Sequence, residues 1–422
     1  MKEIKVHAWD VLRMIPDEEL AHLAKDTKVD YCAKALSGER MFYLLVFAFL
    51  SAEQVSQRKL ETVFNNDLFK TLFNLSVDAK VSRSSISTRL SKIELSFFEK
   101  AFALIYSKLS ALYAPSELLK YHIVPVDSTM VAETCNKLKE GFTVGRKPRG
   151  GKEPVRQIKY SMVYDGFVAR LTEVFNKATY LCEDVALPEV ILKDIKKESG
   201  HACLYVIDRG LCSLESFDAI NKEEAKFVGR IKTSRKMKVA RSLMDEHTKT
   251  DLGKLELVED IVVHLYDNER KCYSESEYRI VKARFKKPRD TTRPANKGQV
   301  RRVENEVFFI TNEMELTAGE VAEIYKKRWE IEVFFKFLKQ NLSFSHLIST
   351  SENGIKVVLY MTLITAMLVL IYKRENELGY TIAKFSFFLE MQSWVGKLMV
   401  VINGGDLNRT AYERICIRGK VP

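Results

Sequence analysis

The hydrophobic period of this chain changes near residue 116, and that change limits the folds open to it. Up to about residue 115 glycine is almost absent, Gly38 standing alone. Apolar residues there recur three and four apart, as in Met41, Leu44, Leu45 and Ala48, which is the spacing of helices that bury one face. Beyond it come short apolar runs of strand character: YHIVPVD (121–127), IKYSMVY (158–164), FVARLTEVF (167–175) and CLYVID (203–208). Asp165-Gly166, between the second and third, is a hairpin-turn signal. A helical pattern around Leu187 to Lys197 lies between strands. Strands mixed with helices predict an α/β (α+β) fold, a mixed sheet with helical covers. FVGRIKT, LELVEDIVVHLY, YRIVKARF and VFFIT make 227–310 rich in strands, and helix returns at about 317–340. The expected segments are therefore a helical domain over 1–115, a mixed part over 116–226, a β-rich part over 227–310, a helical part over 311–400 and a tail over 401–422.

Charge narrows the partners. The 422 residues carry 67 Lys and Arg against 56 Asp and Glu, a net charge of +11, an excess that favours a polyanionic partner such as nucleic acid or an anionic membrane surface. Lys137, Lys139, Arg146, Lys147, Arg149, Lys152, Arg156 and Lys159 form one cluster around GRKPRGGKEP. Lys282, Arg284, Lys286, Lys287, Arg289, Arg293, Lys297, Arg301 and Arg302 form another. Exposed loops of this kind suit phosphate contacts, although solvated loop charge has the same look. VDAKVSRSSISTRLSKI (77–93) reads equally as a helix-turn-helix or as a capped surface helix with a basic face.

Several classes drop out. The seven cysteines are scattered and form no Cys-x-x-Cys pair, which argues against a disulfide framework or a thiolate zinc site and fits a reducing compartment. The first residues contain no apolar core of a secretory signal, so the expected location is the cytoplasm, with the nucleoid. Val357 to Tyr372 is apolar between Lys356 and Lys373, yet at 16 residues it is short for a membrane span, for which about 18 or more are expected. It is expected to be a buried core helix, and no membrane partner is expected.

The chemistry is concentrated in YKKRWEIEVFFKFLK, residues 325–339. On a helix advancing about 100° per residue, Tyr325, Arg328, Glu332, Lys336 and Lys339 share one stripe. Ile331, Val333, Phe334, Phe337 and Leu338 fall on the other side, and so does Trp329, for which core packing is expected. Lys326, Lys327 and Glu330 land awkwardly on the apolar side. A ladder of Arg328–Glu332–Lys336 ion pairs, worth only about 0.3–0.5 kcal/mol each, accounts for the stripe as well as a site does. On the site reading Glu332 binds a metal and Tyr325, Arg328, Lys336 and Lys339 hold phosphates. Asp127 and Asp208 each close an apolar run. Two such carboxylates converging with one on a helix suit two Mg²⁺ ions, hard cations that prefer oxygen, with Mn²⁺ as a substitute. Ions about 3.5–4 Å apart can activate an attacking oxygen and stabilise a leaving one on a phosphodiester. Asp165 and Asp184 are rival carboxylates; the first is explained by its turn and the second by a polar segment after Cys182.

Tyr325-x2-Arg328-x3-Glu332-x6-Lys339, within YKKRWEIEVFFKFLKQ, resembles the signature of one large group of bacterial DDE insertion-sequence transposases. Asp127 in VDST and Asp208 in VIDRG resemble the first and second catalytic Asp of that group, over roughly 120–350. The resemblance implies an RNase H-like catalytic core, interrupted by a β-rich insertion between Asp208 and Glu332 and preceded by an all-helical N-terminal DNA-binding domain. It implies Asp127, Asp208 and Glu332 as a metal-binding triad. It also implies Mg²⁺-dependent cleavage of double-stranded DNA at terminal inverted repeats, strand transfer into target DNA, and a homodimer pairing two ends. Tyr325, Arg328 and Lys339 are then expected on DNA near the terminal phosphate, with Lys336 added from helix geometry and Arg146, Lys147 and Arg149 from the basic loop. The rival expectation is a catalytically inactive or domesticated sequence-specific DNA-binding protein.

Overall fold

A computed structural model describes residues 5–391 except 13, 16, 53, 73–74, 77, 113–120, 134–137, 139–140, 144–154, 198–202, 288–304 and 380. Among the described residues the chain opens with seven helices: α1 (Ala8–Leu12), α2 (Asp17–Thr27), α3 (Gly38–Ser51), α4 (Gln57–Phe64), α5 (Asp67–Leu72), α6 (Arg83–Lys92) and α7 (Leu95–Leu112). Strands β1 (His122–Ala132), β2 (Phe142–Thr143), β3 (Arg156–Tyr164) and β4 (Ala169–Phe175) follow, then α8 (Glu183–Lys197), β5 (Cys203–Ile207), α9 (Leu214–Lys222) and β6 (Lys226–Ile231). Next come β7 (Met237–Ser242), β8 (Asp251–Leu252), β9 (Leu255–Asp267), β10 (Cys272–Tyr273), β11 (Tyr278–Phe285) and β12 (Glu306–Thr311). Helices α10 (Ala318–Lys326), α11 (Arg328–Asn341) and α12 (Glu352–Glu375) follow, and residues 381–391 are again helical.

The chain divides into two compact units. One holds Met1–Ala114, Val131–Gln157 and Phe335–Pro422, the other Pro115–Met130 and Ile158–Phe334. In the first, helix starts are set by side-chain caps: Ser37, Ser56 and Ser82 each accept a backbone N–H of the turn they precede, satisfying donors that a helix start leaves open. The apolar run Val357–Tyr372 lies inside α12, which packs against α3, α6 and α7. This helix is long and apolar enough to cross a membrane, and 83% of its most apolar stretch is buried inside the protein. Thr362 and Thr365 return their hydroxyls to Val358 O and Met361 O, so both threonine hydroxyls are satisfied within the helix.

The second unit is built on a mixed sheet. Its order runs β10-β9-β11-β12-β6-β5-β1-β3, with β4 on β3 and β7 and β8 on β9. The pairs β1–β5 and β5–β6 are parallel, while β6–β12, β12–β11 and β11–β9 are antiparallel. The strands of 226–311 thus continue the same sheet. Asp165 and Gly166 make the β3–β4 turn: Asp165 Oδ1 accepts from Phe167 N and Val168 N, and Gly166 takes φ +95°, which glycine adopts without strain.

The sheet carries α10 on one face. Ala318, Val321 and Ala322 join Leu204, Val206, Val228, Val281 and Phe309 in a buried cluster. A capping box between Thr317 and Glu320 starts that helix. The loop before it is tied down by Arg279 of β11, which donates to Met314 O and Leu316 O. Arg279 is itself held by Asp260 of β9 through two bonds of 2.8 and 2.6 Å, both side chains being about 95% buried. Asp260→Ala leaves that guanidinium buried without its counter-ion, and unfolding by urea is expected to show a loss of about 3–5 kcal/mol.

Candidate active site

Parallel pairing brings the two aspartates together. Val126 of β1 stands opposite Ile207 of β5, so Asp127 and Asp208 each follow one member of the same register pair. β5 stops at Ile207, but β1 runs on to Ala132; Asp127 is a mid-strand residue rather than the end of a strand. The third carboxylate arrives from α11, whose Ile331 is fully buried and whose Phe334 packs on Tyr164 of β3 at 5.2 Å between ring centroids.

One cation joins them. Arg328 Nη2 lies 2.6 Å from Glu332 Oε1, Nη1 lies 3.6 Å from Asp127 Oδ2, and Nε lies 3.8 Å from Asp208 Oδ1. The guanidinium side chain is 12% exposed. Burial works against its charge, yet Tyr325, Asp208 and Glu332 together hold its pKa above the ordinary value. Tyr325 stands on α10 against Phe309, 5.3 Å between centroids, and its hydroxyl reaches 3.5 Å from Asp208 Oδ1; burial is the main cause of its raised pKa.

Asp127 is perturbed by its surroundings. Burial pushes its pKa up to about 6, while Ser128 N (2.7 Å from Oδ1) and Arg328 pull it down and Asp208 and Glu183 push it up. A desolvated carboxylate among like charges gains from any added cation. The donors are all carboxylate oxygens, the set a hard divalent ion prefers, and Arg328 Nε is buried without a hydrogen-bond partner among the described residues. As they lie, no three acidic, His or Cys side chains among the described residues close on one metal point; the guanidinium occupies the space between them. The donor chemistry fits a hard divalent ion.

The expected single helix over 325–339 is broken. α10 ends at Lys326, α11 begins at Arg328, and Lys327 makes the joint, with Lys327 N bonded to Ile324 O and Glu330 N to Lys327 O. The joint lets Lys326 and Lys327, awkward on an ideal wheel, reach solvent, where they pair with Glu323 and Glu330. Two assignments are corrected. Trp329 is 62% exposed and Val333 43% exposed, so this i,i+4 pair flanks the carboxylates at the surface instead of packing in the core. Lys336 is exposed further along α11, and Lys339 is half-buried with a pKa lowered by desolvation.

The basic clusters divide. Arg146, Lys147 and Arg149 lie outside the described residues. Arg156 turns inward, donating to Leu138 O, and Lys159 is 2% exposed and ion-paired to Glu183 at 2.9 Å; neither is the solvated loop charge expected of it. Lys282, Arg284 and Lys286 pair with Glu259, Glu306 and Asp251. Of the rival acids, Asp165 serves its turn, and Asp184 accepts from Cys212 N and Ser213 N beyond the second aspartate. Ser128, Ser161, Lys159 and Glu183, which form a network behind Asp127, are the site residues that sequence reasoning missed. The acidic pair Glu183-Asp184 opening a helix was the one signal for them.

A family model described as a transposase DDE domain matches residues 120–368, more than half of the chain, and its span includes all three carboxylates. The chain belongs to the DDE transposase family. This family member is 30% identical over 177 residues to a protein of Synechocystis sp. (strain ATCC 27184 / PCC 6803 / Kazusa) named as a transposase for insertion sequence element IS4SA, across 42% of this chain and 43% of that one. It is 26% identical over 195 residues to transposase y4zB of Sinorhizobium fredii (strain NBRC 101917 / NGR234), across 46% and 49% respectively. The aligned part spans about half the length of these curated relatives. Among solved structures, the piggyBac transposase synaptic complex with hairpin DNA aligns at a TM-score of 0.47 and 10% identity, over 99% of this chain and 87% of that one.

Arg328→Gln removes the charge that three carboxylates share. A thermal melt without divalent ions is expected to show a loss of about 1–3 kcal/mol, the scale of hydrogen bonds to charged groups.

Proposed function

We propose that this DDE transposase family member cuts double-stranded DNA at the ends of an insertion sequence and transfers the freed ends into target DNA. In this reading it belongs to the group marked by Tyr325, Arg328, Glu332 and Lys339, and β1, β3–β6 and their helices form an RNase H-like core. The observation that carries the reading is the convergence of Asp127, Asp208 and Glu332, from three separate segments, on the one guanidinium of Arg328. An ion-pair ladder along α11 requires only Glu332; it gives no reason for two strand-borne aspartates to share its arginine.

Asp127, Asp208 and Glu332 would hold two Mg²⁺ ions, which when bound activate the attacking oxygen and stabilise the leaving one. The chain's own residues do the rest. Arg328, drawn from the carboxylates, meets a phosphate oxygen as a planar, bidentate donor. Tyr325 offers its hydroxyl at the Asp208 side of the site. Lys339, whose pKa is lowered by burial, gains an anionic partner when a phosphate approaches, and Lys336 adds a solvated cation. Trp329, exposed beside Arg328, presents an aromatic face on which an unstacked base can lie. Water attacks first, and the released 3′-hydroxyl then attacks a second strand.

The helical part over 1–115 is assigned to recognition of terminal repeats. A groove beside α6 is lined by Lys34, Lys80, Ser84, Ser85, Thr88 and Lys92, hydroxyls and ammonium groups suited to phosphate contact. Arg89 is excluded from that role, since it donates to Leu36 O and Val29 O. The parts over 116–226 and 311–400 are assigned to the catalytic core, that over 227–310 to an insertion. A synaptic homodimer acting on chromosomal DNA in a bacterial cytoplasm completes the proposal.

A plasmid carrying the coding sequence with its natural flanks tests it. Wild-type protein is expected to release a fragment at the flanks with Mg²⁺ and not with EDTA, and Glu332→Gln to bind the flanks normally but release nothing. A gel shift without release in either protein supports the DNA-binding rival instead. Lys339→Ala is expected to keep end specificity but weaken flank binding, lowering the slope of log affinity against log salt by about one; an unchanged slope removes Lys339 from the phosphate contacts.

A further inference from the structure

The network behind Asp127 has no part in the roles assigned so far, yet it reaches both catalytic strands. Glu183 opens α8 and uses both carboxylate oxygens on partners outside that helix. Oε1 lies 2.9 Å from Lys159 Nζ, on β3. Oε2 accepts the hydroxyl of Ser128, on β1, at 2.9 Å. Ser128 has a single hydroxyl proton and gives it to the carboxylate, so its 2.7 Å contact with the fully buried Ser161 is one in which Ser161 donates. The backbone N–H of the same Ser128 donates to Asp127 Oδ1.

The other side of Glu183 meets the segment after Asp208. A Cβ added at Gly210 would lie 2.8 Å from Glu183 Cγ and 3.2 Å from its Cβ, so only glycine admits this approach. The adjacent Asp184 secures the same segment by accepting from Cys212 N and Ser213 N at 2.6 and 2.7 Å. Lys159 fixes the entry to α8, donating also to Tyr180 O at 2.8 Å and Leu181 O at 3.3 Å. An acid placed to serve the helix dipole would need none of these partners, and Asp184 already supplies one.

We propose that Glu183 is a positioning residue that holds the segments carrying Asp127 and Asp208 in register with each other. The proposal rests on the transposase reading, in which those two aspartates share metal ions. Displacing such ligands by a fraction of an ångström weakens both ion binding and reaction. Residues that orient ligands in this way are worth about 10–100-fold in metal affinity or activity.

Full-length Glu183→Ala, Glu183→Gln and Gly210→Ala are compared with wild type by calorimetry of Mn²⁺ binding without DNA, by cleavage of the flanked plasmid across Mg²⁺ concentrations, by gel shift on a flank fragment in EDTA, and by thermal melting. Glu183→Ala is expected to lose about 10–100-fold in Mn²⁺ affinity and in cleavage, with the gel shift unchanged. Glu183→Gln should recover most of the loss, because its amide oxygen can accept from Lys159 while its NH₂ donates to Ser128. Gly210→Ala should weaken Mn²⁺ binding with Glu183 still present, by forcing that side chain away. Wild-type Mn²⁺ affinity in Glu183→Ala overturns the proposal, as does a Gln variant as impaired as Ala, which would make the carboxylate itself a ligand. If Glu183→Ala fails to fold, normal Mn²⁺ affinity in Gly210→Ala overturns it. Wild-type protein that binds Mn²⁺ but never cuts counts against the transposase reading, and the calorimetric ranking still decides the role of Glu183.

Discussion

The site depends on one guanidinium shared by three carboxylates. Asp127, Asp208 and Glu332 come from distant parts of the sequence, and bringing like charges together in a partly desolvated place is unfavourable. Arg328 offsets this, at 2.6 to 3.8 Å from all three. It neutralises only one of three negative charges. The rest of the strain shows in Asp127, whose carboxyl is pushed up to about 6 by burial and its acidic neighbours. A group of acids left short of positive charge is prepared for a further cation, and an arginine held by acids is available to an anion that competes for it.

The remaining architecture fixes where these groups stand. Parallel pairing of β1 with β5 puts two aspartates side by side. α10 is seated on the sheet by its apolar face and by Arg279, which reaches from β11 to the loop before it. The joint at Lys327 then turns the chain so that Tyr325 leaves one helix and Arg328 begins the next. Small changes in strand register would separate the aspartates, because a shift of one residue moves every side chain to the opposite face of the sheet.

Some of this was legible residue by residue. The strand ending before Asp208, the turn at Asp165-Gly166 and the buried helix at Val357–Tyr372 follow from local pattern, since each depends on period and turn chemistry within a few residues; the continuation of β1 past Asp127 to Ala132 does not. Trp329 and Val333 are exposed because, at about 100° per residue, they stand only about 40° and 80° from Tyr325, at the edge of the polar stripe rather than on the packed side. Lys159 looked like loop charge because it closes a run of basic residues. Its burial is decided by Glu183, 24 positions away, and by the carbonyls of Tyr180 and Leu181.

The sequence by itself determined the helical and mixed halves of the chain, its basic character, and the residue types and spacing that mark Tyr325, Arg328, Glu332 and Lys339. These are properties of composition and short-range period. Only the tertiary structure decided that Arg328 faces two aspartates as well as its helical neighbour, that Glu183 touches the segments after both of them, and that Trp329 stands at the surface. Each of those facts joins residues far apart along the chain. Such contacts are set by sheet pairing and helix seating, which no local pattern encodes.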